Sequence, residues 1–241
     1  MATPRTTPPA GSTQIVAESP LPAAVLWDMD GTLIDTEPLW MAAEIELTSR
    51  FGVPWTAQDA TELVGSAMVH SAGVLQARGV DLPVATIVDE LTASVARGVT
   101  RRVPWQPGAR DALRALRAAR VPLALVTSSY RPLADPFAVA AGVFDVVVAG
   151  DDVTRAKPDP EPYQLAARAL GVPVEQCVAV EDSRSGIASA LASGARTLAV
   201  EGVQHVADRP GLSRIRSLRD LTLDLLRDLA AGVVLEVPPT R

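Results

Sequence analysis

The 241-residue chain carries a formal net charge of −6, 48% hydrophobic residues, one cysteine and two histidines. That length allows one full core plus a smaller second unit, because domains run about 100–200 residues. An acidic balance without a long basic run excludes the electrostatic footprint of a nucleic-acid binder. Cys177 alone excludes an internal disulfide and a thiolate-cluster zinc site, and His70 and His205 give poor support for a histidine triad or a multi-histidine metal centre.

Residues 1–20 are rich in Pro, Thr, Ala and Ser, lack the apolar segment of a secretory signal, and read as a disordered leader. Residues 23–27 form a short apolar run that empties into Asp28, Met29, Asp30, Gly31 and Thr32, the pattern of a buried strand ending in a functional loop. From residue 37 to 105 the pattern turns helical, with expected helices over 38–50, 57–64, 69–78 and 84–97 and Pro38 at a helix start, where a missing N–H costs nothing. Beyond it, apolar runs at 122–126, 144–149, 177–180 and 197–200 alternate with helical patterns at 109–119, 133–141, 161–170 and 186–193. Such alternation implies βαβ units and a parallel sheet covered on both faces.

The expected fold is therefore a doubly wound α/β core over 21–36 and 106–235, with an all-helical insertion over 37–105 acting as a lid. Leucines at helical spacing predict a closing helix over 217–230. No stretch reaches the roughly 18 apolar residues that a membrane-crossing helix needs, so a soluble, cytoplasmic chain is expected.

Asp28 and Asp30 stand two apart at a strand tip, which sends both carboxylates to one side and suits a metal or a pair with separated proton affinities. The same string also serves as a plain acidic turn. It is no EF-hand loop, since Gly31 is fourth and Leu39 twelfth in the register. Thr127, Ser128 and Ser129 follow another strand, and their hydroxyls either hold phosphate oxygens or cap the next helix. Lys157, the one lysine beside 21 arginines, lies in K-P-D-P and is either a site cation or a solvated charge. Glu181 and Asp182 end a further strand and serve a site or cap a helix. All four clusters fall at the carboxyl edge of the expected sheet, where doubly wound folds bind ligands. Carboxylates, hydroxyls and one ammonium gathered there are what metal-assisted phosphoryl transfer requires.

With D-M-D-G-T-L at Asp28, V-T-S-S around Thr127, K-P-D-P at Lys157 and V-E-D-S-x-x-G-I at Glu181 and Asp182, the sequence resembles the haloacid dehalogenase superfamily over about residues 23–204. The likeness is to its helical-cap branch of sugar phosphatases and β-phosphoglucomutases. It implies a Mg²⁺-dependent phosphatase acting on a small phosphorylated metabolite (a sugar, polyol or glycolate phosphate) through an aspartyl-phosphate. Asp28 would be nucleophile and metal ligand, and Asp30 general acid/base and metal ligand through its carbonyl. Asp182 would be the second carboxylate ligand, and Glu181 a ligand or the anchor of a bound water. Thr127 and Lys157 would hold phosphoryl oxygens. Gly31, Ser128, Glu37, Gly65 and Ser66 are expected to contact substrate, with Glu37 bonding a polyol hydroxyl or, equally, acting as a first-turn helix acid.

Rival readings are a sugar-phosphate mutase and a catalytically silent binding protein. Met68 follows Gly65, Ser66 and Ala67 where mutases carry an arginine, and Tyr130 stands where they tend to place a lysine, which favours the hydrolase. The absence of a cap lysine argues against phosphonate hydrolysis, and Asp30 argues against dehalogenation. Trp40, Trp55 and Trp105 are expected in packing or hinge positions. The expected partner is a phosphorylated small molecule, with no nucleic acid or membrane, and the expected state is a monomer or weak dimer.

Overall fold

The structure, a computed structural model, describes residues 19–63, 66, 68–201 and 209–235. Its first strand, β1 (Ala24–Trp27), is followed by four helices, α1 (Glu37–Arg50), α2 (Ala57–Leu63), α3 (Met68–Ala77) and α4 (Val84–Arg101). The chain then alternates: α5 (Ala109–Ala118), β2 (Leu123–Val126), α6 (Arg131–Ala141), β3 (Val146–Val148), α7 (Glu161–Leu170), β4 (Cys177–Glu181), α8 (Arg184–Ser193) and β5 (Arg196–Val200). It ends with β6 (Leu212–Ile215) and α9 (Leu223–Ala230).

The six strands form one parallel sheet in the order β3-β2-β1-β4-β5-β6. β1, β2 and β4 are buried along their whole length, which is why they read as continuous apolar runs rather than alternating ones. Successive connections run outward from β1 to β3, then cross back to β4 on the other side of β1. The strand order reverses between β1 and β4, and a crevice opens there at the carboxyl edge. Register fixes what lines it: Trp27 pairs with both Leu125 and Val180, so Asp28, Thr127 and Glu181 emerge close to one level.

The helical segment leaves and rejoins the sheet through paired linkers. Ile34 forms an antiparallel bridge with Trp105, Asp35 N–H donates to the Pro104 carbonyl at 2.8 Å, and Gln106 N–H donates to the Leu33 carbonyl at 2.9 Å. α4 packs on α1, α3 and α6, tying the helical segment to the sheet's flank.

Besides shifted ends, such as α4 running to Arg101 and β3 covering only Val146–Val148, three details differ from the expected elements. β6 lies at the sheet edge, and its sequence L-S-R-I breaks the apolar run that marks a buried strand, so it went unpredicted. The expected 217–230 helix is split: Ser217 and Asp220 close a 3₁₀ turn, and Thr222 starts α9 by accepting from the Leu225 N–H at 3.1 Å. The expected helix at Gly186 begins earlier, at Arg184, because Ser183 caps it through a bond from the Gly186 N–H at 3.0 Å. Among the described residues, no helix is long and apolar enough to cross a membrane.

Candidate active site

The floor of the crevice is a charge network built at the ends of β1, β2 and β4. Lys157, whose side chain is 3% exposed, spends its three donors on Asp28 Oδ1 at 2.7 Å, Glu181 Oε1 at 2.6 Å and the Val126 carbonyl at 3.0 Å. The solvated-surface alternative for this lysine is therefore wrong. Burial alone would lower its proton affinity, but Asp28 and Glu181 outweigh burial and hold it above the ordinary value.

Glu181 is fully buried and its two oxygens are surrounded. Oε1 accepts from Lys157 and from the Tyr163 hydroxyl at 2.7 Å, while Oε2 accepts from the Asp182 and Ser183 N–H groups and the Ser183 hydroxyl at 3.1, 3.2 and 3.1 Å. Five donors on one carboxylate make it an anchor for its neighbours. Gly186 is needed beside it, since a Cβ there would come within 1.8 Å of Oε1.

Asp28 presents its second oxygen differently. Oδ2 is buried and has no hydrogen-bond partner, an arrangement that costs free energy unless a ligand completes it. Burial and then Glu181 push the Asp28 carboxyl well above the usual carboxylate range, opposed by Lys157. Asp182 is pushed up to about 7 by burial and then by Glu181, while its Oδ1 accepts from the Thr32 hydroxyl at 3.0 Å. Carboxylate oxygens of Asp28, Glu181 and Asp182 lie within 4.8 Å of one another. Three acids share one buried ammonium, so the donor set suits a hard divalent cation, with oxygen ligands and an unfilled Asp28 oxygen. Gly31, at φ +90°, lets the loop pass against Asp182: a Cβ there would sit 2.2 Å from Oδ2.

Asp30 turns aside from this triad. Its Oδ1 accepts from the Thr36 hydroxyl at 2.5 Å, and Oδ2 accepts from Ser129 at 2.7 Å and Thr127 at 3.3 Å. Thr127 also accepts from the Ser129 N–H at 3.0 Å, so its hydroxyl is engaged inside the loop rather than left open. Ser128 is exposed at the cavity edge.

Above the floor lies a cavity of about 850 Å³. Asp28, Asp30, Gly31, Thr127, Ser128, Lys157 and Asp182 face it from the sheet side, and Glu37 and Ser66 from the helical side. Gly65 lies outside the described residues. Glu181 sits beneath the lining, behind Lys157 and Asp182. Trp40 lines the cavity, Trp55 donates from Nε1 to Glu44 at 3.3 Å, and Trp105 packs on Phe137 with ring centres 5.4 Å apart.

Several participants escaped the sequence reading. Tyr163 is fully buried in the first turn of α7, with the Lys157 ammonium 5.2 Å from its ring centre. Thr36 holds Asp30, as does Ser129, whose hydroxyl was expected at a phosphate or a helix cap instead; Gln106 Nε2 donates to the Gly31 carbonyl at 3.0 Å, and Arg216 joins the cavity just past β6. Glu44 was findable, since it stands seven residues after Glu37 and so on the same face of α1.

A family model described as haloacid dehalogenase-like hydrolase matches residues 22–194. The chain is 32% identical over 186 residues to a phosphorylated carbohydrates phosphatase of Thermotoga maritima, covering 76% of this chain and 85% of the relative. It is 31% identical over 210 residues to hexitol phosphatase A of Escherichia coli, covering 85% and 91%. Among solved structures, CbbY of Rhodobacter sphaeroides in complex with phosphate superposes with a TM-score of 0.72 at 29% identity, covering 83% of this chain and 96% of that one. With the parallel sheet, the motif residues at its carboxyl edge and these relatives, the chain belongs to the haloacid dehalogenase-like hydrolases, as a phosphoric monoester hydrolase of small phosphorylated metabolites.

Proposed function

We propose that the chain is a Mg²⁺-dependent phosphatase of sugar or polyol phosphates that works through an aspartyl-phosphate on Asp28. The observation that carries this reading is the Asp28 carboxylate, with one oxygen held by Lys157 and the other unpartnered among three acids at the cavity floor. Side chains of Asp28 and Asp182 with the Asp30 carbonyl would hold the cation, and Glu181 would fix Lys157 and Asp182 from behind. The cation supplies positive charge that screens the carboxylate from the phosphate and stabilises the charge developing on its oxygens.

The chain's own residues do the rest. A carboxylate oxygen of Asp28 attacks phosphorus while the bond to the substrate oxygen breaks, and Asp30 gives that leaving oxygen a proton. Water then attacks the same phosphorus and yields a proton to Asp30. The bond to Asp28 breaks, releasing phosphate and restoring both carboxyl groups. Lys157 offsets the nucleophile's charge throughout. Thr36, Thr127 and Ser129 set where Asp30 rests, and Ser128 and Gly31 lie at the phosphate entry. We assign residues 37–105 as a cap over a 21–36 and 106–235 core, with the paired linkers at Ile34 and Trp105 as its hinge.

A mutase would need a second phosphate grip. Among the described residues, α1–α4 bring no lysine or arginine to the cavity, which supports hydrolysis. The test is hydrolysis of p-nitrophenyl phosphate and of a panel of sugar and polyol phosphates with Mg²⁺ and with a chelator. Turnover should fall on the order of 10³-fold on chelation and return with Mg²⁺. Full activity in chelator, or no turnover on any ester, would overturn the reading.

A further inference from the structure

The roof of the cavity carries chemistry that phosphate transfer does not use. α1 presents Glu37, Trp40 and Glu44, spaced three and four residues apart and hence on one helix face. Glu44 is only 5% exposed; its Oε2 accepts from Trp55, and its Oε1 has no partner among the described residues. The Glu37 carboxylate, half-buried rather than enclosed, likewise has neither a hydrogen bond nor an ion pair among them. Burial, then Asp30 and Asp35, push Glu37 up to about 7, and burial, opposed by the Trp55 bond, pushes Glu44 up to about 7.

Buried acids without a counter-charge are costly unless something supplies one. The neighbouring cavity residues of the helical segment, Met41, Leu63 and Met68, are apolar and supply none, and Arg216, which enters the cavity from past β6, is not among the groups that act on either carboxyl. A hydroxyl would offer these carboxylates hydrogen bonds but no charge. An ammonium offers both, and Trp40 on the same face adds a π-surface that attracts cations. About 850 Å³ leaves room for a phosphate on the floor and a body of sugar size reaching the roof.

We propose that Glu37, Trp40 and Glu44 form a cation subsite, and that the substrate is the phosphate monoester of an aminated polyol or amino sugar whose ammonium seats there. This rests on the phosphatase reading above. The test compares kcat/KM within matched pairs that differ only by amine for hydroxyl: glucosamine 6-phosphate against glucose 6-phosphate, and 2-amino-3-hydroxypropyl phosphate against glycerol 1-phosphate. The wild-type enzyme should favour the amine in at least one pair by about tenfold or more. The preference should fall to about unity in Glu44→Gln and in Glu37→Gln. N-acetylglucosamine 6-phosphate, which lacks the charge, should lose the advantage on the wild-type enzyme, so the proposal stays testable if Glu44→Gln fails to fold. No amine preference in either pair, or a preference unchanged in the Gln variants and on N-acetylation, would overturn it. With p-nitrophenyl phosphate as control, turnover of that ester without amine preference sinks the subsite alone, whereas no turnover of any ester sinks the phosphatase reading.

Discussion

The two sides of the cavity treat buried charge in opposite ways. On the floor, Lys157 and Glu181 are saturated, with all three ammonium donors and both carboxylate oxygens engaged. On the roof, the half-buried Glu37 and the buried Glu44 face the cavity with no lysine or arginine from α1–α4 beside them. A network that is satisfied within the protein holds one geometry, as the chemistry of phosphoryl transfer requires. A wall left electrostatically incomplete is completed by whatever binds, and so selects it. The floor also has one unpartnered buried atom, Asp28 Oδ2, at the point of the proposed attack.

Removing the floor's cation should break this contrast most severely. Lys157→Met strands Asp28 and Glu181 as buried unpaired acids, and breaking such a pair costs about 3–5 kcal/mol. Urea unfolding should report that loss together with near-complete loss of phosphatase activity. An undiminished midpoint would show that the floor network is not a stability element.

The roof should show itself through pH. Glu37 and Glu44 bind protons more tightly folded than unfolded, so the folded state holds more protons between about pH 4.5 and 7. Their contribution to stability is present at low pH and is lost as pH rises through about 7. The melting temperature of the wild type should therefore fall, relative to that of a Glu37→Gln, Glu44→Gln double variant, on going from about pH 5 to about pH 8. Parallel curves for the two proteins would refute the roof's part of the comparison.

The smallest expected effect sharpens the account of the floor. Tyr163→Phe deletes one of five donors to Glu181, and a hydrogen bond to a charged group is worth about 1.5–3 kcal/mol, at the low end where other donors remain. Denaturation should register that loss, and kcat should drop only a few-fold.

Much of the floor was legible in the sequence. A parallel sheet brings the residues after each strand to one edge, so Asp28, Thr127, Lys157 and Asp182 could be gathered from strand ends and short motifs alone. What was not legible depends on contacts between distant elements. Tyr163 looks like an ordinary apolar position of α7 until its hydroxyl meets Glu181, 18 residues on. Ser129 reads as a helix-starting hydroxyl, yet it donates to Asp30, 99 residues earlier. Arg216 was hidden because β6, an edge strand with Ser and Arg in it, lacks an apolar signature. Only Glu44 was within reach, from its spacing to Glu37.

The most direct test of the central claim is to quench the enzyme in acid during its first turnover of a phosphate ester with Mg²⁺ and to map phosphoryl groups on its peptides by mass spectrometry. The account predicts one phosphoryl group on the peptide holding Asp28, absent in Asp28→Asn. A phosphoryl group on another residue, or single-turnover product formation with none on the protein at any quench time, would contradict it.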